Sequence, residues 1–209
     1  MKFTYLIIGF TVLISVSAFS NNNWFHRYQF SPYQVHHQKQ YYRLFTHGFL
    51  HVNWVHLIVN MLVLFFFGGY GEDYIKAALP PAVRPWSPLI YFLFYFTAII
   101  VASLSSLKKH KDDEWYNAVG ASGAVSAVLF LYIFFNPWER IYFYGIIPIP
   151  GIVMGVLYLL YSHYMSRRGT DMVNHDAHIA GAIFGFIFPV LLNYRLLAVF
   201  FKQFFNFSF

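Results

Sequence analysis

GASGAVSAVLFLYIFF, residues 120–135, and AHIAGAIFG, residues 177–185, are apolar stretches with polar groups that membrane helices rarely keep. Ser122 lies between two glycines, which allow a tight turn that exposes backbone N–H groups beside its hydroxyl. His178 would lie at membrane depth, where an ionisable side chain is costly and usually functional. The residues between the two stretches suffice for a further helix, so Ser122 and His178 would lie on non-consecutive helices. A serine and a histidine inside a membrane bundle suggest a hydrolase that works in the bilayer.

The composition indicates a membrane protein with one compact domain, residues 1–209. The 209 residues are 58% hydrophobic, 23% aromatic and only 11% charged, whereas soluble domains average about 25% charged residues. The net charge of +6 comes from lysines and arginines scattered over many loops, so no nucleic-acid partner is expected. The chain has no cysteine, which excludes disulfides and thiolate zinc sites.

Six apolar runs predict an all-α membrane fold, since each run is near the ~20 residues that a bilayer requires. The predicted spans are 3–19 (within the first segment, 1–19), 53–70, 88–107, 117–136, 142–165 and 177–194. A cleaved signal peptide is the alternative for the first run.

The segments between and after the spans are predicted from their polar and aromatic residues. Residues 20–52 form a long first loop at the membrane interface, where Trp and Tyr prefer to lie. Charges and prolines predict loops at 71–87 and 166–176. The tail 195–209 is expected on the membrane surface. Six spans would place both termini on one side, but the positive-inside rule does not orient the chain because its basic residues are divided too evenly.

Small residues next to Ser122 and His178 support a close approach of their two helices. Ala177, Gly181 and Gly185 recur every fourth residue and form a flat helix face that admits a close partner. If that partner is the fourth span, Ser122 and His178 could act as nucleophile and general base. The alternatives are that GASG, including Gly120 and Gly123, serves helix packing and that His178 binds a backbone carbonyl.

His56 and Asn60 form a second polar pair on one face of the second span, since they are four residues apart. Asn60 lies in an apolar run and needs a hydrogen-bonding partner. Both side chains could donate hydrogen bonds to an oxyanion. A structural polar pair between helices is the alternative.

The remaining titratable residues are interpreted as structural or solvated. Five histidines of the first loop fit no compact ligand set, so no metal and no cofactor is expected, and an interfacial loop can solvate them: His26, His36, His37, His47 and His51. His175 is interpreted as a solvated loop residue, Asp176 as a loop residue or helix cap, and Glu72 as a cap or a bond to a neighbouring loop.

Four segments resemble the rhomboid family of intramembrane proteases and occur in the family's order over about residues 40–190. They are RLFTHGFLHVNWVHLIVNM (43–61), FGGYGE (67–72), GASG (120–123) and AHIAGAIFG (177–185). Each motif alone is weak, but together they are specific.

The resemblance implies a six-helix bundle with a long, partly embedded first loop and a serine–histidine dyad. Ser122 would be the nucleophile and His178 its base, with His56, Asn60 and the Ser122 amide as the oxyanion hole. The fifth helix and the loop after it would gate and cap the site. The implied substrates are transmembrane or juxtamembrane segments of membrane proteins, cut in the lipid of a bacterial inner membrane, with both termini cytoplasmic.

Two positions depart from the family pattern. Tyr42 precedes Arg43 where the family has a tryptophan, and Ser126 stands where many relatives carry an aromatic ring that packs on the catalytic histidine. Another aromatic residue must therefore cover His178, or its imidazole is held less firmly.

Two other function classes stay open at the level of sequence. A rhomboid-like pseudoprotease would bind transmembrane segments without cleavage, although Ser122 and His178 are intact. A transporter or channel would show broken helices in paired halves, and the sequence shows no such pairing.

Overall fold

Helices make up most of the chain. A computed structural model describes residues 2–143, 145–168 and 173–206. The helices are α1 (Phe3–Phe19), α2 (Asn22–Tyr28), α3 (Pro32–His37), α4 (Arg43–Thr46), α5 (Trp54–Ala78), α6 (Ser87–Lys109), α7 (Ser122–Phe135), α8 (Gly151–Arg168), α9 (His175–Leu192) and α10 (Leu196–Phe205). Two strands, β1 (Arg140–Phe143) and β2 (Ile147–Pro150), precede α8, and 3₁₀ turns span His47–Phe49 and Pro81–Trp86.

Three helices in the described ranges are long and apolar enough to cross a membrane. They are α5, the segment Pro81–Lys109 that contains α6, and α9. The helices α1, α7 and α10 are apolar but shorter. The fold is thus mostly helical with three candidate membrane spans, and the arrangement of six spans remains a prediction.

The helix α7 lies at the centre of the bundle and packs against α5, α6 and α9. Nearly all of its side chains are buried, from Gly123 to Phe134. A helix that is apolar on every side is stable only when neighbours surround it, and this sequence therefore places the first residue of α7, Ser122, inside the protein.

The helix α5 continues through residues that were predicted to be a loop. It ends at Ala78, so Glu72 and Asp73 are helical. The Glu72 carboxylate accepts hydrogen bonds from the Thr4 backbone N–H (2.8 Å) and hydroxyl (2.7 Å), and Asp73 pairs with Lys2 at 2.7 Å. The first N–H groups of a helix have no partner within it, and Glu72 supplies one to α1, which explains why these acidic residues are tolerated in α5.

The predicted fifth span, 142–165, begins in a β-hairpin that ends at Pro150, so the prediction of a helix before Gly151 is wrong. Arg140 pairs with Pro150 and Phe143 with Ile147 in antiparallel register. Gly145 adopts a φ of +74° in the turn, a conformation that favours glycine. Pro148 and Pro150 cannot donate in a helix but are compatible with an edge strand, and the helix α8 therefore begins only at Gly151.

The other predicted boundaries differ less. The helix α7, which corresponds to the predicted fourth span, begins at Ser122 rather than at 117. The helix α9 begins two residues before the predicted 177. The tail forms α10, whose Phe200 ring stacks on Phe134 of α7 at 5.2 Å. The predicted cap between the fifth and sixth spans falls partly on residues 169–172, and the end of the tail on 207–209, both outside the described residues.

Candidate active site

The turn before α7 brings Ser122 to the start of a buried helix. Gly120 has a φ of +129°, and its N–H donates to the His47 carbonyl oxygen at 3.0 Å. A side chain at Gly120 would strike the His56 imidazole, since its Cβ would lie 2.7 Å from Cε1 and 2.9 Å from Nε2. Only glycine satisfies both conditions. The turn therefore places the His56 ring against Gly120, which precedes Ser122 by two residues. The Ser122 N–H lies in the first turn of α7, where N–H groups have no partner within the helix.

The helices α7 and α9 touch through their backbones beside Ser122 and His178. A Cβ at Gly181 would overlap the Gly123 carbonyl oxygen and lie 2.8 Å from the carbonyl carbon. A Cβ at Gly123 would lie 3.4 Å from the Ala177 carbonyl oxygen. Ser122 and His178 are the chain neighbours of Gly123 and Ala177. The contact therefore places the Ser122 backbone on α7 next to one of its sides and the His178 backbone on α9 next to the other.

Gly185 extends the same contact one turn further. Its Cβ would lie 2.5 Å from Ala127 Cα and would overlap the Ala127 carbonyl oxygen. The partner of the small-residue face of α9 is thus α7, the helix that begins with Ser122.

Tyr158 of α8 covers His178. The two rings are stacked, with centroids 5.9 Å apart and an interplanar angle of 19°. The Tyr158 hydroxyl lies 2.6 Å from Ser126 Oγ, which also donates to the Ser122 carbonyl oxygen at 2.8 Å. Ser126, where the resemblance leads us to expect an aromatic ring, therefore contacts an aromatic ring from another helix through its hydroxyl. Sequence reasoning missed Tyr158 because no local pattern tells which of the many aromatic residues faces α9.

His175 and Asp176 occupy the first turn of α9, and both interpretations of them as loop residues are wrong. His175 is buried, and its ring packs edge-on against His178 (5.6 Å) and Tyr161 (5.7 Å). Asn174 provides the helix cap by accepting from the Ala177 N–H. Asp176 instead pairs with Lys109 at 3.0 Å and with Ser166.

His56 and Asn60 lie on one face of α5, and the amide of Asn60 donates to the His56 carbonyl oxygen at 2.8 Å. An amide group carries two donor hydrogens, and this bond is the only side-chain hydrogen bond of Asn60 in the described structure. Asn53 caps α5 by accepting from the His56 N–H at 2.9 Å. The cap fixes the start of the helix and with it the position of the His56 ring against Gly120.

His51 is buried beside this turn, so the expectation of a solvated loop histidine is wrong. Its Nε2 lies 3.5 Å from the Ala121 N–H, and its Nδ1 lies 2.9 Å from Ser15 Oγ, which donates to the Phe49 carbonyl oxygen. Because Nε2 faces a donor and the Ser15 hydroxyl already donates to Phe49, the ring proton is assigned to Nδ1. Burial lowers the pKa of His51 to about 3, so the ring is neutral and links α1 to the residue before Ser122. No local pattern in the sequence identifies its partners, because Ser15 and Ala121 are both distant from His51 along the chain.

His47 is buried as well, contrary to the same expectation. Its Nε2 lies 2.9 Å from Ser103 Oγ of α6, and burial lowers its pKa to about 4. Its backbone carbonyl accepts from Gly120, so His47 fixes the first loop against both α6 and the serine turn.

Arg43 anchors the first loop from inside. The residue is only 5% exposed, and its guanidinium donates to the carbonyl oxygens of His26 (3.0 Å) and Gln29 (2.7 Å) and to Gln40 Oε1 (2.7 Å). Tyr42 is 43% exposed, and its hydroxyl reaches Gln40 at 3.1 Å. The arginine of the Tyr42–Arg43 pair therefore holds the loop.

The described residues contain no group of three or more His, Cys, Asp or Glu side chains that could hold a metal ion. The chemical groups beside Ser122 are instead hydroxyls, imidazoles, an amide and backbone N–H groups. This set can supply a nucleophile, a base and oxyanion donors for acyl transfer.

Comparison with known protein families matches residues 38–195 to the family described as Rhomboid domain. Among curated proteins, the chain is similar to the RHOMBOID-like protein 12, mitochondrial, of Arabidopsis thaliana, with 27% identity over 146 residues. The match covers 66% of this chain and 43% of that relative, so the chain spans less than half the length of the curated relative. The family match includes all four motifs and every residue of the candidate site.

Proposed function

Because the chain belongs to the rhomboid family, we propose that it is an intramembrane serine endopeptidase. The observation that carries this proposal is the backbone contact between α7 and α9, with Ser122 and His178 beside it. A nucleophile and its base must come within hydrogen-bond reach of each other, roughly 2.6–3.2 Å. Helices that touch at glycine are the means by which a membrane protein can bring two such residues together.

In the proposed reaction, Ser122 Oγ attacks the carbonyl carbon of a substrate peptide while His178 accepts the hydroxyl proton. The Ser122 N–H, the His56 ring and the second Asn60 amide hydrogen donate to the resulting oxyanion. His178 then gives its proton to the leaving amine as the C–N bond breaks. Water attacks the acyl-enzyme with His178 again as base, which releases the new carboxyl end and regenerates Ser122.

We also propose that α1, α5, α6, α7, α8 and α9 form a six-span bundle. The 14 residues of α7 rise only about 21 Å, less than the ~30 Å hydrocarbon core. A helix this short can begin within the membrane, where polar neighbours line a cavity that water can enter. The buried His51 and the half-buried Ser122 fit such a cavity.

The substrates in this proposal are membrane proteins that enter from the side and unwind before cleavage. A helical peptide carbonyl is already hydrogen-bonded within its helix, so Gly or Pro in the substrate should favour cutting. Lys2 binds near the far end of α5, whereas His56 lies at its start. The N-terminus and the site are therefore at opposite ends of the bundle, and we assign both termini to the cytoplasmic side of a bacterial inner membrane.

A purified-protein assay with a labelled single-span substrate rich in Gly tests the proposal. Wild-type protein should produce two fragments, and Ser122→Ala should leave the substrate intact. If wild-type and Ser122→Ala protein both bind the substrate without cutting it, the chain is a pseudoprotease and the proposal is wrong.

A further inference from the structure

Tyr158 is the side chain that joins all three helices around the proposed dyad. It belongs to α8, its ring stacks on His178 of α9, and its hydroxyl contacts Ser126 of α7. Ser126 in turn bonds the carbonyl oxygen of Ser122. One side chain therefore links the proposed base to the helix of the proposed nucleophile.

The geometry of the two rings is that of a stabilising aromatic pair. Centroids 5.9 Å apart with nearly parallel planes fall within the 4.5–7 Å range of offset stacking. A stacked ring restricts rotation of the imidazole about its side-chain bonds. The Ser126 hydroxyl holds the far end of Tyr158, and Phe130 packs on its ring at 5.9 Å, so the ring is itself fixed.

The helix that carries Tyr158 is the least embedded of the helices around the site. Its buried residues are Gly151, Gly155 and Ser162. A Cβ at Gly155 would lie 3.3 Å from Phe130 and from Ile133 of α7, so α8 rests on α7 through a small-residue contact. A shift of α8 would carry Tyr158 away from both Ser126 and His178.

We infer that Tyr158 is the positioning residue for His178 and that it makes the alignment of the base depend on the position of α8. This inference rests on the proposed function, because it concerns the base of that reaction. It differs from a purely structural role for Tyr158, which would affect stability and leave the chemical step unchanged. It also differs from a contact with substrate, which would change KM and leave the reactivity of Ser122 unchanged.

The test uses full-length protein and a small fluorophosphonate probe, which needs an activated serine but no transmembrane substrate. Tyr158→Met and Tyr158→Leu remove the planar ring, Tyr158→Phe keeps it, and Tyr164→Leu is the matched control on the exposed face of α8. Each variant is assayed below its own melting temperature. If only one of the two ringless variants folds, that variant alone is sufficient to test the inference. Steady-state cleavage of the labelled membrane substrate gives kcat and KM for the same proteins.

The ringless variants should label roughly two- to tenfold more slowly, the factor that one aromatic pair represents. Their kcat should fall by the same factor, with KM changed less than twofold. Tyr158→Phe, which keeps the ring but loses the contact with Ser126, should fall less than either ringless variant, and Tyr164→Leu should stay within about twofold of wild type. Adding Ser126→Phe to Tyr158→Met supplies a ring from α7 and should restore labelling. Ringless variants that label at the wild-type rate would overturn the inference, as would a change confined to KM or a failure of Ser126→Phe to restore labelling. Wild-type protein that does not label would instead refute the proposed function, and the inference would fall with it.

Discussion

Replacing Gly181 with alanine should separate α9 from α7 and thereby lower activity steeply. The new Cβ would lie 2.8 Å from the Gly123 carbonyl carbon and closer still to its oxygen, whereas ordinary contact begins at 3.4 Å. The helices must therefore part by at least about 0.6 Å, because the obstacle is backbone and cannot rotate away. A displacement of ~1 Å can cost ~10²-fold in rate, and Gly181→Val or Gly181→Leu should be as inactive as His178→Ala.

The same substitution should lower stability, whereas Ser122→Ala should not. Overpacking a tight contact costs about 1–3 kcal/mol, equivalent to a decrease of roughly 2–12 °C in melting temperature for a chain of this size. Gly9→Ala is the matched control, since a Cβ there meets nothing within 4 Å, and it should melt at or slightly above the wild-type temperature. Cleavage and thermal unfolding are measured together on all four proteins: wild type, Gly181→Ala, Gly181→Leu and Gly9→Ala. A Gly181→Leu protein that melts and cleaves like wild type would refute the packing of α7 on α9 through this glycine.

Three further predictions concern the site and its supports. Ser122→Ala and His178→Ala should each abolish cleavage of the labelled substrate while the protein still inserts and folds, and cleavage at the wild-type rate by either would remove that residue from the dyad. Asn60→Ala should lower kcat by up to ~10²–10³-fold, and less if His56 and the Ser122 amide compensate; unchanged rates in both Asn60→Ala and His56→Ala would exclude them as oxyanion donors. The pKa of His51 is about 3 in the folded protein against about 6.5 in the unfolded chain, so the unfolded chain binds the extra proton. The contribution of His51 to stability should therefore fall as the pH falls from about 6.5 towards 3, by at most ~1.4 kcal/mol per pH unit. Melting temperatures should show a shallower pH slope for His51→Gln than for wild type, and an equal slope would contradict the neutral buried ring.

The sequence was sufficient for the family and the motifs because both depend on local patterns. Small residues every fourth position from Ala177 predicted a face for close helix contact, and the structure places Gly181 and Gly185 of that face on α7. The positive φ of Gly120 and its contact with His56 give a physical reason for glycine at the start of GASG.

What the sequence did not predict depends on long-range contacts. Hydropathy alone does not distinguish a short apolar strand pair from a helix, so the predicted span 142–165 includes most of the hairpin of Arg140–Phe143 and Ile147–Pro150. Glu72 looked like a loop residue because its partner Thr4 is distant in sequence. Tyr158 and His51 were missed for the same reason, since their partners are distant in sequence.

The most direct test of the central claim is the site at which a fluorophosphonate attaches to the purified protein. Digestion and mass spectrometry should place the adduct on Ser122 in wild-type protein, and His178→Ala protein should carry no adduct because the hydroxyl lacks its base. An adduct on another residue, or equal labelling of Ser122 without His178, would contradict the serine–histidine dyad on which the account depends.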